Sequence, residues 1–253
     1  MNNEDILKIA KEQSALECGC RPEDFDSPDD TVCMFSLREK SRVYYANDIA
    51  CNFVSYGNGN VVSVKAQYAD IVEKFLAENS GFSCFETPAL LRLNELFIPT
   101  GHKVCFMAEY FLPDLDCLYK TDCKYEIRIL YPDDFRGLYL PEWSNALSSK
   151  RPFYDRICAA AYDGDKLVGL AGASADCAGM FQIGIDVLPE YRKQGIGSAL
   201  TSRLALEVLE DGKVPFYCAG WANIASVRNA VRSGFRPAWC EMTLKPSAFV
   251  DEL

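Results

Sequence analysis

Arg192, Lys193, Gln194, Gly195, Ile196, Gly197 and Ser198 form one uninterrupted run, set where the apolar residues Ile185-Asp186-Val187 give way to a helix-forming stretch at 197–212. Two cations, two glycines and a helix start are a combination suited to one kind of chemistry. A helix N-terminus leaves unpaired N–H groups pointing outward and carries about half a positive charge. Glycine at 195 and 197 removes the Cβ atoms that would hold a bulky anion away from those N–H groups, and Arg192 and Lys193 add charge at the rim. Ile196, Leu200, Leu204 and Val208 recur every four residues, a spacing that anchors the helix on a sheet. A diphosphate is the expected ligand.

Other phosphate loops fit less well. A P-loop requires Gly-Lys-Ser/Thr after its glycines, whereas Gly197 is followed by Ser198-Ala199; a dinucleotide fingerprint requires a third glycine where Leu200 stands.

A second motif lies downstream. In Asn223-Ile-Ala-Ser226 through Gly234-Phe235, as in the approach Val187-x-Pro189-x-Tyr191-Arg192, the residues follow a known pattern. Residues 125–245 resemble the GNAT superfamily of acyl-CoA N-acyltransferases. Arg192-x-x-Gly195-x-Gly197 matches the family's Arg/Gln-x-x-Gly-x-Gly/Ala, and Asn223, Ser226 and Gly234-Phe235 stand at family spacing. The resemblance implies that Arg192 to Ser198 bind the pyrophosphate of coenzyme A, with Asn223 and Ser226 nearby. It also implies that a strand splays from its neighbour so that pantetheine bonds to backbone around Ile185, Asp186 and Val187, as an added strand would. A neutral amine then attacks the thioester of acetyl-CoA directly. The implied partners are acetyl-CoA and a small-molecule or peptide amine, with no metal.

Two family proton handlers are missing. The tyrosine that usually protonates the departing thiolate falls at Ala230, and the usual glutamate base falls near Phe181, with Gln182 beside it. Three explanations stay open: an unassisted thiolate, substitutes among Tyr217, Glu142, Asp186 and Asp176, or acyl-CoA binding without turnover by a regulatory module. Alternation along its strand makes Asp186 a candidate ion-pair partner as well as a candidate base. Glu142, Trp143 and Asn145 lie where the family has a loop covering the acceptor, and could meet an ammonium group or simply cap a helix. Cys218, flanked by Tyr217 and Trp221, raises a ping-pong route that the family seldom needs.

The rest of the chain must position these residues. Its 253 residues are 49% hydrophobic and 25% charged, enough for one large domain or two ordinary ones. The net charge of -10 argues against general nucleic-acid binding. Residues 1–124 carry 12 basic and 20 acidic side chains against 14 and 16 in the remainder, an asymmetry that suits either a cationic amine or mere solubility. No apolar run approaches the ~20 residues of a membrane helix, and the acidic start lacks the marks of a secretory signal. Twelve scattered cysteines without any C-x-x-C, and one histidine, His102, read as reduced, mostly buried thiols in a cytoplasmic protein, and His102 as a satisfied surface or turn residue.

The expected fold is α/β (α+β): a GNAT-type mixed, mostly antiparallel sheet flanked by helices over 125–253, preceded by a second α+β domain over 1–124. The first half carries no motif of its own and is compatible with a degenerate GNAT-like half that walls the acceptor pocket or closes the sheet. Helices are expected at about 3–17, 67–79, 88–98, 135–147, 197–212 and 224–234. Strands are expected at 32–37, 51–57, 61–66, 103–113, 125–130, 157–175, 180–189, 214–221 and 235–244, with Asp163-Gly164-Asp165 splitting the longest into a hairpin.

Overall fold

The computed structural model describes residues 1–46 and 48–253. The chain divides into two compact units, one of Met1–Leu7 with Phe111–Pro237 and the other of Lys8–Tyr110 with Ala238–Leu253. The expected boundary near Lys124–Tyr125 is therefore displaced to Tyr110–Phe111, and the last sixteen residues leave the C-terminal half. The cause is strand pairing: the final strand, residues 235–246, lies antiparallel to residues 51–55 from Cys240↔Ser55 to Leu244↔Cys51.

In the unit built on 8–110, helix α1 (Asn3–Cys18) leads to β1 (Thr31–Met34), β2 (Cys51–Ser55) and β3 (Asn60–Val64). Strands β2 and β3 form a hairpin from Cys51↔Val64 to Ser55↔Asn60, and β1 adds parallel to β3. The glycine-rich turn allows this: Gly57 has φ +95, open to glycine without strain. Helices α2 (Ala69–Glu78) and α3 (Thr87–Phe97) bury Val72, Phe75, Leu93 and Phe97 against Phe53, Val62 and Val64. Strand β4 (His102–Pro113) follows. His102 is satisfied but buried, not superficial; its Nδ1 is 3.0 Å from both the Thr100 hydroxyl and the Thr100 carbonyl.

In the other unit, β5 (Glu126–Leu130), β6 (Asp155–Asp163), β7 (Lys166–Ser174) and β8 (Met180–Val187) run antiparallel in that order, and β9 (Val214–Gly220) joins β8 in parallel. The sheet is thus mixed and mostly antiparallel, as expected. Helix α4 (Ile196–Glu210) lays Ile196, Leu200, Leu204 and Val208 on the small residues Ala159, Ala161 and Ala171 and on Phe181 and Ile183. Gly169 permits the approach, since a Cβ there would meet Ile196 Cγ2 at 2.8 Å. Helix α5 (Ile224–Arg232) precedes β10 (Phe235–Pro246), and a five-residue helix, α6 (Ser247–Asp251), ends the chain without having been expected.

The opposite face of β6–β8 is covered by the segment between β5 and β6. A helix expected at 135–147 is instead two 3-10 turns, Arg136–Leu138 and Pro141–Trp143. Pro141 drives Leu140 into an extended conformation, φ -113 and ψ 156, which interrupts any helix. Phe135, Trp143, Ala146 and Leu147 from this segment pack on Cys158, Ala160 and Leu170. Among the described residues the cysteines are all free thiols, five of them buried and Cys117 exposed, and no helix is long and apolar enough to cross a membrane.

Candidate active site

The turn from β8 into α4 is built by its own side chains. Arg192 Nε donates to the Val187 carbonyl at 3.0 Å, Tyr125 Oη donates to Gln194 Oε1 at 2.9 Å, and Tyr191 Oη donates to Asp163 at 3.0 Å. Lys193 and Gly195 both adopt left-handed backbone, φ 61 and 81. For lysine this conformation is uncommon, and at the start of α4 the first N–H groups have no partner within the helix. Ser198 Oγ donates to the Gly195 carbonyl at 3.0 Å, closing the first turn. Arg192, Lys193, Gln194 and Gly195 are exposed while Ile196 is buried, so the charged rim sits on a fixed base. These features fit a pyrophosphate.

Beside this loop the sheet opens. The parallel ladder between β8 and β9 runs only from Met180↔Val214 to Gln182↔Phe216, although β8 continues to Val187 and β9 to Gly220. On its other edge β8 stays paired with β7 as far as Gly169↔Val187. Residues 183–187, which include Ile185, Asp186 and Val187, therefore hold a straight course with one edge turned to the gap. That edge can bond an extended ligand as a missing strand would. At the closed end of the gap, Gln182 Nε2 lies 3.2 Å from Cys218 Sγ.

Helix α5 packs on β9 and α4. Asn223 is its N-cap, accepting from Ser226 N at 3.2 Å, and Tyr217 Oη donates to Ser226 Oγ at 3.3 Å. Asn229 Nδ2 donates to Thr201 Oγ1 at 2.9 Å, tying α5 to α4. A Cβ on Gly197 would come within 2.9 Å of Asn229 Oδ1, so glycine there also allows the two helices to meet.

Residues 124–235 match the Acetyltransferase (GNAT) family. That match covers less than half of the chain and supports a GNAT acyl-CoA N-acyltransferase fold for the segment. The chain is 33% identical over 106 residues to mycothiol acetyltransferase of Kocuria rhizophila, an overlap of 36% of this chain and 34% of that protein. It therefore spans about a third of that curated relative's length. Similar solved structures include a GCN5-related N-acetyltransferase-like protein from Streptococcus suis, 17% identical with TM-score 0.46, covering 63% of this chain and 68% of that one. Another is a GCN5-related N-acetyltransferase from Sphaerobacter thermophilus, 13% identical with TM-score 0.46, covering 74% and 71%.

Within the GNAT segment the two unusual positions have clear surroundings. Ala230 is fully buried in the core beneath α5, and Phe181 turns toward α4, into the same cluster. Neighbouring side chains on a strand alternate, so Gln182, Gly184 and Asp186 occupy the opposite face, under the covering segment. Among the described residues Asp186 forms no salt bridge; it clamps that segment. Its carboxylate accepts from Asn145 N at 2.8 Å, Asn145 Nδ2 at 2.6 Å and Ala146 N at 3.0 Å. Glu142 is exposed on the 3-10 turn, whereas Trp143 is buried and so unavailable to a solvent-borne ammonium. Asp176 is buried and pairs with Arg151 at 2.8 Å. Trp221 is exposed.

Burial pushes the Tyr217 hydroxyl above its ordinary pKa, against the opposing pull of Ser226 and Asn229. It stays protonated at neutral pH, and the hydrogen bond it donates goes to Ser226 Oγ.

Sequence reasoning did not single out Asp155 or Ser174. In the folded sheet Asp155, Ser174 and Gln182 are cross-strand neighbours on β6, β7 and β8, through the pairs Asp155↔Ser174 and Ser174↔Gln182. Counting outward from the Asp163-Gly164-Asp165 turn approaches this row, but register shifts at Asp155/Ile157 and Ala161/Tyr162 intervene.

Proposed function

We propose that this chain transfers the acetyl group of acetyl-CoA to a primary amine by direct attack on the thioester. The observation that carries the reading is the gap between β8 and β9 opening beside the N-terminus of α4. One feature suits an extended pantetheine chain and the other its pyrophosphate, and the two are adjacent in the order that coenzyme A requires.

The backbone N–H groups at Gly195 to Ser198 meet the pyrophosphate, with Arg192 and Lys193 supplying charge and Gln194 bracing the loop. The edge of Ile185, Asp186 and Val187 bonds the pantetheine amides. Asn223 and Ser226 shape the first turn of α5 beside the cofactor. Tyr217 donates a hydrogen bond to the departing sulfur. A thiol of pKa about 8.5 is a tolerable leaving group, so stabilising the thiolate matters more than completing a proton transfer from a phenol of higher pKa. The Asp186 carboxylate contributes by holding the covering segment in place, and Glu142 stands on that segment as a candidate contact for the amine. No step of this direct attack calls for a metal.

A second reading, acyl-CoA binding without turnover, is favoured by the buried alanine at 230. Calorimetric titration with acetyl-CoA, with free CoA and ATP as controls, followed by thiol release over a panel of amines, separates the two. Micromolar binding with thiol release supports the enzyme, and binding without release under every amine supports the sensor. No binding of either CoA compound sinks both.

A further inference from the structure

A second feature of the same unit lies on the face of β6–β8 turned away from α4. A small, partly open cavity of about 60 Å³ is lined by Asp155, Ser174, Gln182 and Gly184 on the sheet and by Asn145 and Arg151 from the covering segment. It has room for an ammonium head group but not for a whole ligand.

Asp155 is 3% exposed and accepts one backbone hydrogen bond, from Ser148 N at 3.1 Å. Among the described residues no lysine or arginine forms an ion pair with it, since Arg151 is engaged by Asp176 at 2.8 Å. Burial of a carboxylate that lacks an ion-pair partner is costly even when it is hydrogen-bonded, and a proton or a bound cation would relieve it further. Next to it, the Ser174 hydroxyl is sealed from solvent and makes no well-formed hydrogen bond, although it is close enough to Asp155 to help hold that carboxyl's charge. Such an orphaned hydroxyl is unusual in a native interior. Gln182 completes the row at the point where the β8–β9 ladder ends. Strands are ~4.8 Å apart, so Ser174 lies between Asp155 and the start of the gap.

We propose that this cavity is the subsite for the acceptor's ammonium group, with Asp155 as the proton acceptor and Ser174 as the hydroxyl that links them. The assignment rests on the acetyl-transfer reading above. An ammonium entering beside Gln182 gives a proton to Ser174 Oγ as Ser174 passes its own proton to the Asp155 carboxylate. The freed nitrogen lone pair forms the C–N bond with the thioester carbonyl carbon. The C–S bond then breaks with its electron pair on sulfur, and the nitrogen's surplus proton goes to the thiolate. Asp155 later releases its proton to water, so one proton is produced for each amide formed.

Burial holds the Asp155 carboxyl above the ordinary carboxylate range, against Ser148 N–H, Tyr139, Ser174 and Arg151, which all pull it down. Cys158 on the same strand and Tyr139 on the covering segment, itself pushed up to about 12 by burial and then by Asp155, stay neutral near pH 7. Arg151 and Asp176 offset each other. The acid limb of the rate therefore follows Asp155, and activity falls as pH drops through its raised pKa.

The test uses the full chain with Asp155→Asn and Ser174→Ala. Asparagine keeps an acceptor for Ser148 N–H, and alanine removes a hydroxyl without a well-formed bond, so both variants should fold. In wild type, ethylammonium chloride titrated with and without CoA should move the backbone amide resonances of Ser174 and Gln182, and should fail to do so in Asp155→Asn. Asp155→Asn should lower kcat/KM for amine about 100-fold and flatten the acid limb, with acetyl-CoA affinity unchanged. Unmoved amides in wild type, or wild-type kcat/KM and pH profile in Asp155→Asn, would overturn the subsite. Failure of wild type to bind acetyl-CoA would overturn the functional reading instead.

Discussion

Gly184 lies directly beneath the main-chain carbonyl of Asn145, and a Cβ on Gly184 would be driven into that oxygen. Its cross-strand neighbour Gly172 stands in the same relation to Ala146. The covering segment rests on a pair of glycines, and the Asp186 carboxylate holds it there. Because the obstacle is backbone, no side-chain rotation relieves it. Gly184→Ala should lift residues 145–146, break the Asp186 bonds and cost about 1–3 kcal/mol. Urea denaturation reads the stability, and faster amide exchange at Asn145 and Ala146 locates the change.

Gly195 has φ +81, and a Cβ added there would meet nothing within 4 Å, so its constraint is conformational and not steric. Gly195→Asn should keep most of the acetyl-CoA affinity, because asparagine tolerates left-handed backbone. Gly195→Val should lose at least about tenfold, since a β-branched residue there costs about 1–3 kcal/mol. Equal affinities by calorimetry would remove the loop from the binding site.

Tyr217→Phe should reduce kcat while leaving the acetyl-CoA dissociation constant unchanged. The wild-type rate should show no alkaline fall from this group below about pH 10, because burial raises its pKa above the ordinary tyrosine value. An unchanged kcat would remove Tyr217 from the reaction.

Restoring the family's tyrosine should not help. Ala230 is fully buried in the core cluster that holds Phe235 and Leu204. Ala230→Tyr should overpack that core by about 1–3 kcal/mol or more, lowering the melting temperature without raising turnover. A faster enzyme of unchanged stability would contradict the placement.

In the other unit, Arg42 donates to Glu17 at 2.7 Å and to Glu241 at 2.5 Å, with all three side chains buried. Arg42→Met leaves two buried carboxylates without their cation and should cost about 3–5 kcal/mol. Replacing Glu17, Arg42 and Glu241 together with apolar residues should recover much of that loss, as read by equilibrium denaturation.

Sequence by itself determined the parts that local chemistry dictates. The glycines at 195 and 197, the helix beside them and its apolar stripe depend on backbone freedom and on a period of 3.6, and the helix expected at 197–212 runs from Ile196 to Glu210 with that stripe buried. The absence of a tyrosine at 230 and a glutamate near 181 was also legible, because motif spacing locates both positions. What needed the tertiary structure was every relationship across strands. The row of Asp155, Ser174 and Gln182 depends on register shifts that no count along the chain supplies. The role of Asp186 depends on which face of β8 the covering segment crosses, and the division of the chain depends on β10 pairing with β2, about 190 residues away in sequence. Residues distant in the chain become neighbours only when burial of their shared apolar faces selects one pairing, and that selection is made by the fold as a whole.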